Sequence, residues 1–298
     1  FQAEDGIRDS VASRGLGDVY KRQAIKISFP EILTAVVAAP LLENKNHRHY
    51  IWNKKLSRLS FYDAIIVHSY AKVVKGKDQY GQMILEENEG EKESSFLIYK
   101  KRVLDFFKDY YPKEIKNYNS IFDDTPIWIT EWNLQYSKKT GNTLLQGLFV
   151  ANYFLELISK DDYKSIELTT FHNLAGRDFG GSIFQMKNNK TYIQSTFYPI
   201  QLLSNIFSNE KLKVFSKKLT DDIFQYSFFM HKKLKKVIVI NWNDEEFFID
   251  KNSFNKKTEY YSKYLFDLNS DNEGLIYKTS NIEGGRILIK PYSLTLVE

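Results

Sequence analysis

The stretch Thr125 to Asn133 carries the side chain with the clearest chemical potential in this sequence, the carboxylate of Glu131. It follows Ile127 to Thr130, a run that is largely apolar on both faces, as is typical of a buried parallel strand. Pro126 suits the first residue of such a strand. A carboxylate at the carboxyl end of a buried strand is costly to desolvate unless it is paired or used. The pattern predicts either a catalytic carboxylate or a strand-end Glu bonded to a neighbouring Arg or Lys.

Two other apolar runs also end in polar side chains. Tyr62 to Tyr70 predicts a second buried strand, and its period of two puts His68 and Tyr70 on one face. Both side chains can therefore reach the same cavity. A lone histidine at a strand end is more often structural, and that alternative stays open for His68. Ile166 to Asn173 predicts another strand that finishes on polar residues.

No cofactor and no metal site are predicted. Asn173 to Gly181 is rich in glycine but lacks the G-x-G-x-x-G spacing of dinucleotide-binding loops. His47 and His49 could form a metal pair, but no nearby carboxylate completes a set of three or four ligands. An exposed polar loop over Asn44 to Tyr50 is the better interpretation. The chain has no cysteine, which excludes disulfides and thiolate metal sites.

The composition limits the classes of partner. The chain has 298 residues, 43% of them hydrophobic and 15% aromatic, enough for a sizeable core or two modest domains. The net charge is +5, but the lysines are interleaved with acidic residues, so no nucleic-acid partner is predicted. No apolar run approaches the roughly 20 residues that cross a bilayer, so no membrane partner is predicted.

The order of predicted elements indicates parallel α/β structure up to residue 208. Leu33 to Ala38 predicts a short buried strand, and residues 72–95 predict a long solvated loop. Apolar residues at spacings of three and four predict helices, and Ala24 to Phe29 predicts the end of another. The predicted helices are Tyr50 to Leu59, Phe96 to Tyr110, Gly141 to Ile158 and Tyr198 to Phe207.

Beyond Asn209 the hydrophobic period changes from helical to alternating. Short strands separated by polar turns indicate an antiparallel β-sandwich. The predicted strands are Ile223 to Met230, Lys236 to Trp242, Glu245 to Asp250, Tyr260 to Leu268, Gly274 to Lys278 and Arg286 to Glu298.

Three stretches together resemble one enzyme family. Trp128 to Asn133, with the letters Trp-Ile-Thr-Glu-Trp-Asn, resembles the seventh-strand motif of retaining glycoside hydrolases of clan A, such as α-L-arabinofuranosidases and β-xylosidases. Phe61 to Tyr70 resembles their sixth strand, and Pro291 to Val297 resembles the last strands of the sandwich attached to their barrel. The resemblance covers most of residues 24–298.

The resemblance implies a glycosidase that acts on carbohydrate by double displacement, with Glu131 as the nucleophile and with Tyr70 or His68 hydrogen-bonded to it. Arg177, in the loop after Asn173, would bind sugar hydroxyls, although a salt bridge with Asp178 or another neighbour is the alternative. The predicted substrate-binding residues are His68, Tyr70, Trp132, Asn133, His172, Asn173 and Arg177.

By the same resemblance, residues 24–208 are strands five to eight of a (β/α)8 barrel, since a full barrel takes roughly 250 residues. A retaining glycosidase also needs an acid/base carboxyl group. In clan A this group lies in an Asn-Glu pair that ends the fourth strand, and no such pair at a strand end precedes Leu33. We therefore expect the chain by itself to be inactive. The alternative is a non-catalytic carbohydrate-binding or cell-surface structural protein on a degenerate barrel.

Residues Phe1 to Gln23 resemble the translated adapter sequence found in some metagenomic assemblies. We expect them to be a non-native leader. The predicted domains are thus a leader over residues 1–23, a partial barrel over 24–208 and a β-sandwich over 209–298. A secreted or periplasmic location is favoured over a cytoplasmic one, and the sequence gives no indication of the oligomeric state.

Overall fold

The structure, a computed structural model, describes residues 11–41, 45–73, 92–135, 140–176, 181–207, 211–264 and 272–298. These residues divide into two compact units. The first unit holds the chain up to His68 together with Lys116–Thr130 and Ser165–Thr169, and the second holds Ser69–Ile115, Glu131–Lys164 and Thr170–Glu298. The predicted domain boundary between residues 208 and 209 lies outside the described residues.

Helices and strands alternate in the amino-terminal two thirds of the chain, and strands dominate the remainder. The α-helices of the described residues are α1 (Val11–Ser28), α2 (Arg48–Leu56), α3 (Lys92–Asp105), α4 (Tyr111–Phe122), α5 (Leu144–Ser159) and α6 (Phe197–Phe207). The first strands are β1 (Ala35–Val37), β2 (Ala64–Ala71), β3 (Ile127–Leu134), β4 (Ile166–Phe171), β5 (Ala175–Gly176), β6 (Phe184–Lys187) and β7 (Lys190–Ile193). The later strands are β8 (Lys213–Thr220), β9 (Ile223–Met230), β10 (Lys233–Asn241), β11 (Phe247–Asp250), β12 (Lys256–Ser262), β13 (Leu275–Asn281), β14 (Arg286–Ile289) and β15 (Ser293–Val297).

Strands β1 to β4 form one sheet in sequence order. β1 and β2 are parallel. β3 and β4 are hydrogen-bonded at matching ends, Ile127 N to Ser165 O at 2.7 Å and His172 N to Trp132 O at 3.1 Å, so they are parallel as well. The predicted parallel arrangement is confirmed. β2, β3 and β4 each continue from the first unit into the second, so their carboxyl ends belong to the second unit.

The helical segment between β2 and β3 is longer than predicted. A π-helical turn, Phe106–Tyr110, joins α3 to α4, so the segment is continuous from Lys92 to Phe122. The sequence predicted a single helix over Phe96 to Tyr110. Pro112 lies two residues after the π turn, and its missing N–H and its ring disturb the regular hydrogen-bond ladder of an α-helix. Residues 74–91 of the predicted loop lie outside the described residues.

Helix α5 has almost no solvent-facing side, because every residue from Leu144 to Tyr153 is buried. Thr143 caps its amino end, where the hydroxyl oxygen accepts a hydrogen bond from Gln146 N at 3.3 Å. On one side of the helix Tyr153 contacts β3. On another side a Cβ on Gly147 would lie 2.0 Å from the Tyr260 hydroxyl of β12, so only glycine permits this approach. The predicted helix over Gly141 to Ile158 is confirmed with slightly shifted ends.

Strands β8 to β15 build the antiparallel part of the chain. Six of them form a sheet in the order β13-β12-β15-β10-β9-β8, and β11 and β14 form a separate two-stranded sheet. The two sheets enclose a core of buried apolar residues. These are Ile223, Val237, Val239, Phe254, Ile282, Ile287, Ile289 and Val297.

Three features of the strands were not predicted. The closing stretch Arg286 to Glu298 was predicted as one strand, but it divides between the two sheets. Pro291 cannot donate to a ladder and Tyr292 has a φ of 42°, so the strand ends there. β8 was missed. The three-stranded sheet of β5, β6 and β7 was also missed, although Asn188 and Asn189, with φ of 51° and 58°, are the residue type that tight hairpin turns favour.

Candidate active site

The carboxyl ends of β2 and β3 bring a tyrosine and a glutamate together. Tyr70 Oη donates a hydrogen bond to Glu131 Oε2 at 2.7 Å. Both side chains are partly exposed. In the first half of β3, buried residues alternate with partly exposed ones, and Ile127 and Ile129 are buried. Glu131 breaks this alternation, because it is partly exposed and the next residue, Trp132, is buried. The hydrogen bond implied by the resemblance is therefore present, and Glu131, which accepts it, is partly exposed.

Tyr70 is held in its neutral, donating form. Burial is the largest cause that raises the pKa of the Tyr70 phenol far above its ordinary value of 10.0, followed by the hydrogen bond to Glu131 and by the charge of that carboxylate. A phenol with so high a pKa keeps its proton over the whole physiological range. Tyr70 can thus orient Glu131 as a hydrogen-bond donor, and it is unsuited to accept a proton from a substrate.

His172 lies beside this pair at the end of β4. Its ring meets the Tyr70 ring edge-on, with 6.1 Å between centroids and 76° between planes. Its neighbour Asn173 is half-buried and accepts a backbone hydrogen bond from Ile183 N at 3.1 Å. The structure therefore gathers Glu131, Tyr70 and His172 at one end of the sheet, with Asn173 next along the chain.

Trp132 lies on the other side of β3, in the core. Its exposed fraction is 3%. Its indole stacks on Tyr153 of α5, with 4.4 Å between centroids and 16° between planes, and meets Phe171 edge-on at 5.2 Å. A side chain that stacks on a sugar needs at least one ring face open to solvent, so this buried position does not support the predicted contact of Trp132 with a sugar. Strand alternation explains it, because adjacent residues of a strand face opposite ways.

Asn133 shares the Glu131 side of the strand but is also buried, with an exposed fraction of 1%. Its amide nitrogen donates to the backbone oxygens of His172 and Gly181, the latter at 2.9 Å. Its donors are therefore used inside the protein, and the structure gives Asn133 a structural contact where the sequence predicted a substrate contact.

The two remaining predicted residues differ in what can be described. His68 lies on β2 two residues before Tyr70, belongs to the first unit and is exposed. Arg177 lies outside the described residues. Among the described residues, no group of three or more His, Asp or Glu side chains could hold a metal ion.

Sequence reasoning missed Gln146 of α5, whose amide nitrogen donates to Asn133 Oδ1 at 3.1 Å. The signal was available in the spacing Thr143-x-x-Gln146, the pattern of a capping box at a helix start. Gly181, whose backbone oxygen accepts from both carboxamides, was named only as the end of a glycine-rich loop.

No protein-family model and no curated protein matches the sequence, but solved structures do. A GH51 α-L-arabinofuranosidase from Thermotoga petrophila RKU-1 matches with a TM-score of 0.57 at 12% identity, over 94% of this chain and 60% of that one. A family 51 α-L-arabinofuranosidase from Bifidobacterium longum matches with a TM-score of 0.62 at 9% identity, over 94% and 62%. A 4-O-α-L-rhamnosyl-β-D-glucuronidase from Fusarium oxysporum 12S matches with a TM-score of 0.57 at 10% identity, over 95% and 63%.

The fold of this chain is similar to that of these three glycoside hydrolases. At these identities the likeness concerns the fold alone, and it confirms the predicted resemblance to clan A at that level. The chain spans between 60% and 63% of the length of these three enzymes. No helix in the described part of the chain is both long and apolar enough to cross a membrane.

Proposed function

We propose that this chain carries the nucleophile half of a retaining glycosidase that acts on plant or microbial oligosaccharides or polysaccharides. The observation that carries the proposal is the partly exposed Glu131 at the carboxyl end of β3, held by Tyr70 at 2.7 Å. In α/β barrels, catalytic groups lie at the carboxyl ends of the strands. The similarity of fold to arabinofuranosidases supports the carbohydrate class. A secreted or periplasmic location fits such a substrate.

In this proposal β1 to β4 correspond to strands five to eight of a (β/α)8 barrel, and β8 to β15 form the attached sandwich. A Glu131 oxygen attacks the anomeric carbon, the bond from that carbon to the leaving oxygen breaks, and a glycosyl ester forms. His68, His172, Asn173 and Arg177 are the proposed contacts to the sugar, and Tyr70 donates its hydrogen bond to Glu131.

We further propose that the chain alone does not turn over ordinary glycosides. Their leaving oxygen needs a proton from an acid/base carboxyl group. The resemblance assigns that group to an Asn-Glu pair at an earlier strand end, and no such pair precedes Leu33. This is also the one observation in favour of a non-catalytic carbohydrate-binding or cell-surface protein.

A reagent that needs no acid tests the nucleophile directly. Dinitrophenyl glycosides with fluorine beside the anomeric carbon lose dinitrophenolate with its electron pair, without a proton, and the fluorine slows hydrolysis of the ester that forms. We expect the chain to gain the mass of one fluorosugar, localised to Glu131 by peptide mass spectrometry. Arabinofuranosyl and xylosyl reagents should be tried first, given the resemblance.

The matched controls are Glu131→Gln, which should stay unlabelled, and Glu156→Gln, which should still be labelled at Glu131. Glu156 suits this control because it too accepts a hydrogen bond from a tyrosine, Tyr226, at 2.8 Å. Absence of any adduct in a folded chain, together with binding of unmodified oligosaccharide, would instead support the non-catalytic alternative.

A further inference from the structure

The buried carboxamides of Asn133 and Gln146 are hydrogen-bonded to each other beside the candidate nucleophile. Asn133 lies two residues after Glu131 on β3, and its Oδ1 accepts hydrogen bonds from Leu134 N at 2.7 Å and from Gln146 Nε2 at 3.1 Å. Its Nδ2 donates to the backbone oxygens of His172 and Gly181. Every donor and acceptor of this side chain is therefore engaged within the protein.

Gln146, in the first turn of α5, completes the network. Its Nε2 also donates to Gly181 O at 3.2 Å, and its Oε1 accepts from Asn142 N at 2.9 Å. Its exposed fraction is 2%. A buried polar network that is satisfied throughout rigidifies its surroundings, because any other arrangement leaves a buried group unpaired. The pair thus ties the chain after β4 to both β3 and α5.

Gly181 is the residue that permits this contact. Its φ is +130°, and a Cβ built on it would lie 2.5 Å from Gln146 Nε2. Another residue here would be strained by its backbone conformation and would press on the Gln146 amide. The network therefore depends on the side chains of Asn133 and Gln146 and on the lack of a side chain at position 181.

One of the two backbone oxygens that Asn133 binds belongs to His172, a residue of the candidate site. His172, whose backbone oxygen accepts from Asn133, places its ring edge-on to Tyr70 at 6.1 Å. Tyr70 in turn donates to Glu131 at 2.7 Å. A shift of the His172 backbone would thus reach the carboxylate through two side chains, the His172 ring and Tyr70.

We propose that Asn133 and Gln146 are positioning residues, which hold His172 and through it Tyr70 in the geometry that orients Glu131. This inference rests on the proposed function, since it concerns the reactivity of Glu131. It assigns Asn133 a role other than substrate contact, and it gives Gln146 and Gly181 a role in the same reaction.

The test measures how fast Glu131 of the full chain is labelled by the activated fluoroglycoside. Gln146→Met keeps the volume and removes the amide, and Gly181→Ala pushes on the same amide from the other side. We expect the maximal labelling rate constant to fall about ten- to a hundredfold in both variants, as for a small misplacement of a reacting group. The reagent concentration that gives half the maximal rate should change by a smaller factor than the rate constant, because neither residue itself touches the sugar and the effect on binding passes only through His172.

Asn152→Leu is the matched control, because Asn152 is another buried carboxamide of α5 and bonds to Tyr226 and Trp242, remote from Glu131 in the hydrogen-bond network. It should lower stability and reduce the fraction of chains that become labelled, while the rate constant of the labelled fraction stays at the wild-type value. If Gln146→Met does not fold, Gln146→Glu retains the volume and the acceptor for Asn142 N and removes both donors, with the same slow labelling expected.

Wild-type rate constants in the folded Gln146 and Gly181 variants would overturn the positioning role while leaving Glu131 as the nucleophile. Failure of the wild-type chain to be labelled would count against the proposed function itself. A rate constant in Asn152→Leu that falls as far as in Gln146→Met would also overturn the inference, because any buried defect in α5 would then have the same effect.

Discussion

Two tyrosine–glutamate hydrogen bonds of nearly equal length lie in the second unit, in opposite surroundings. Tyr70 donates to Glu131 at 2.7 Å, and Tyr226 donates to Glu156 at 2.8 Å. Glu131 and Tyr70 are partly exposed. Glu156 and Tyr226 have exposed fractions of 4% and 0%. The same pair of chemical groups is thus open to a reactant in one place and sealed in the other.

The buried pair, Glu156 and Tyr226, is fully engaged in contacts within the protein. Glu156 forms an ion pair with Lys160, and the Tyr226 hydroxyl also accepts a hydrogen bond from Asn152 Nδ2 at 2.9 Å. Asn152 Oδ1 accepts in turn from Trp242 Nε1 at 2.9 Å. This network joins α5 to β9 and the end of β10. A carboxylate hydrogen-bonded by tyrosine is therefore no sign of reactivity by itself, and access to the carboxylate separates the two cases.

Replacement of each glutamate by glutamine should separate them most widely. Glu131→Gln should slow labelling by the fluoroglycoside more than about a thousandfold, because the nucleophile is gone, with little change in stability. Glu156→Gln should label normally but lose about 1–3 kcal/mol of unfolding free energy, because Lys160 and Tyr226 lose a charged partner. Mass spectrometry and chemical denaturation measure the two effects. Equal loss of stability in both variants would remove the contrast.

Removal of each tyrosine hydroxyl should give a smaller version of the same contrast. Tyr70→Phe should reduce the labelling rate constant about 10²-fold, as for the loss of one preorganised hydrogen bond. Tyr226→Phe should leave that rate constant unchanged and lower the unfolding free energy by about 1–2 kcal/mol, since a buried acceptor and a buried donor lose their partner. A labelling defect in Tyr226→Phe would instead link the two pairs.

A third carboxyl group, Glu114 of α4, sharpens the comparison through pH. Burial, the largest cause, raises its pKa from 4.5 to about 7, against the opposing charge of Lys72. A raised folded-state pKa means that the unfolded chain ionises first. Glu114 therefore lowers stability progressively as the pH rises from the unfolded value of 4.5 through about 7.

Glu114→Gln should accordingly be more stable than the wild-type chain at pH 8 by about 1–3 kcal/mol and equally stable at about pH 4. Urea denaturation at both pH values measures the difference. A gap of the same size at both would assign the effect to packing. Because Gln cannot ionise, a curve of its stability against pH is also the baseline for the remaining groups.

The sequence predicted β2 and β3 because a run of apolar residues in the local sequence indicates a buried strand. The runs before Tyr70 and Glu131 are apolar on successive residues, as is typical of a parallel strand that is covered on both faces. β9 was predicted with its observed ends, Ile223 and Met230, since its pattern stands between polar turns. The alternation that placed His68 and Tyr70 on one face likewise needs only neighbouring residues.

What the sequence did not provide was the surroundings of each side chain. Trp132 and Asn133 follow Glu131 directly, and the family motif suggested sugar contacts for both. Their burial depends on Tyr153, Gln146 and Gly181, which lie 13 to 48 residues away along the chain. Such contacts become visible only when α5 is docked on β3. β8, with polar residues at most positions, carried too weak an apolar alternation to be recognised.

The burial of helix α5 has a consequence for the exchange of its amide hydrogens with water. Since it is buried against β3 and against β12 of the six-stranded sheet, we expect its amide hydrogens to be shielded from solvent in the folded state. They should exchange with deuterium only when that whole unit unfolds, later than the amides of the exposed β8. Helix α5 thus packs both on β3, which carries Glu131, and on the six-stranded sheet. We therefore expect β3 and that sheet to lose their protection from hydrogen exchange together.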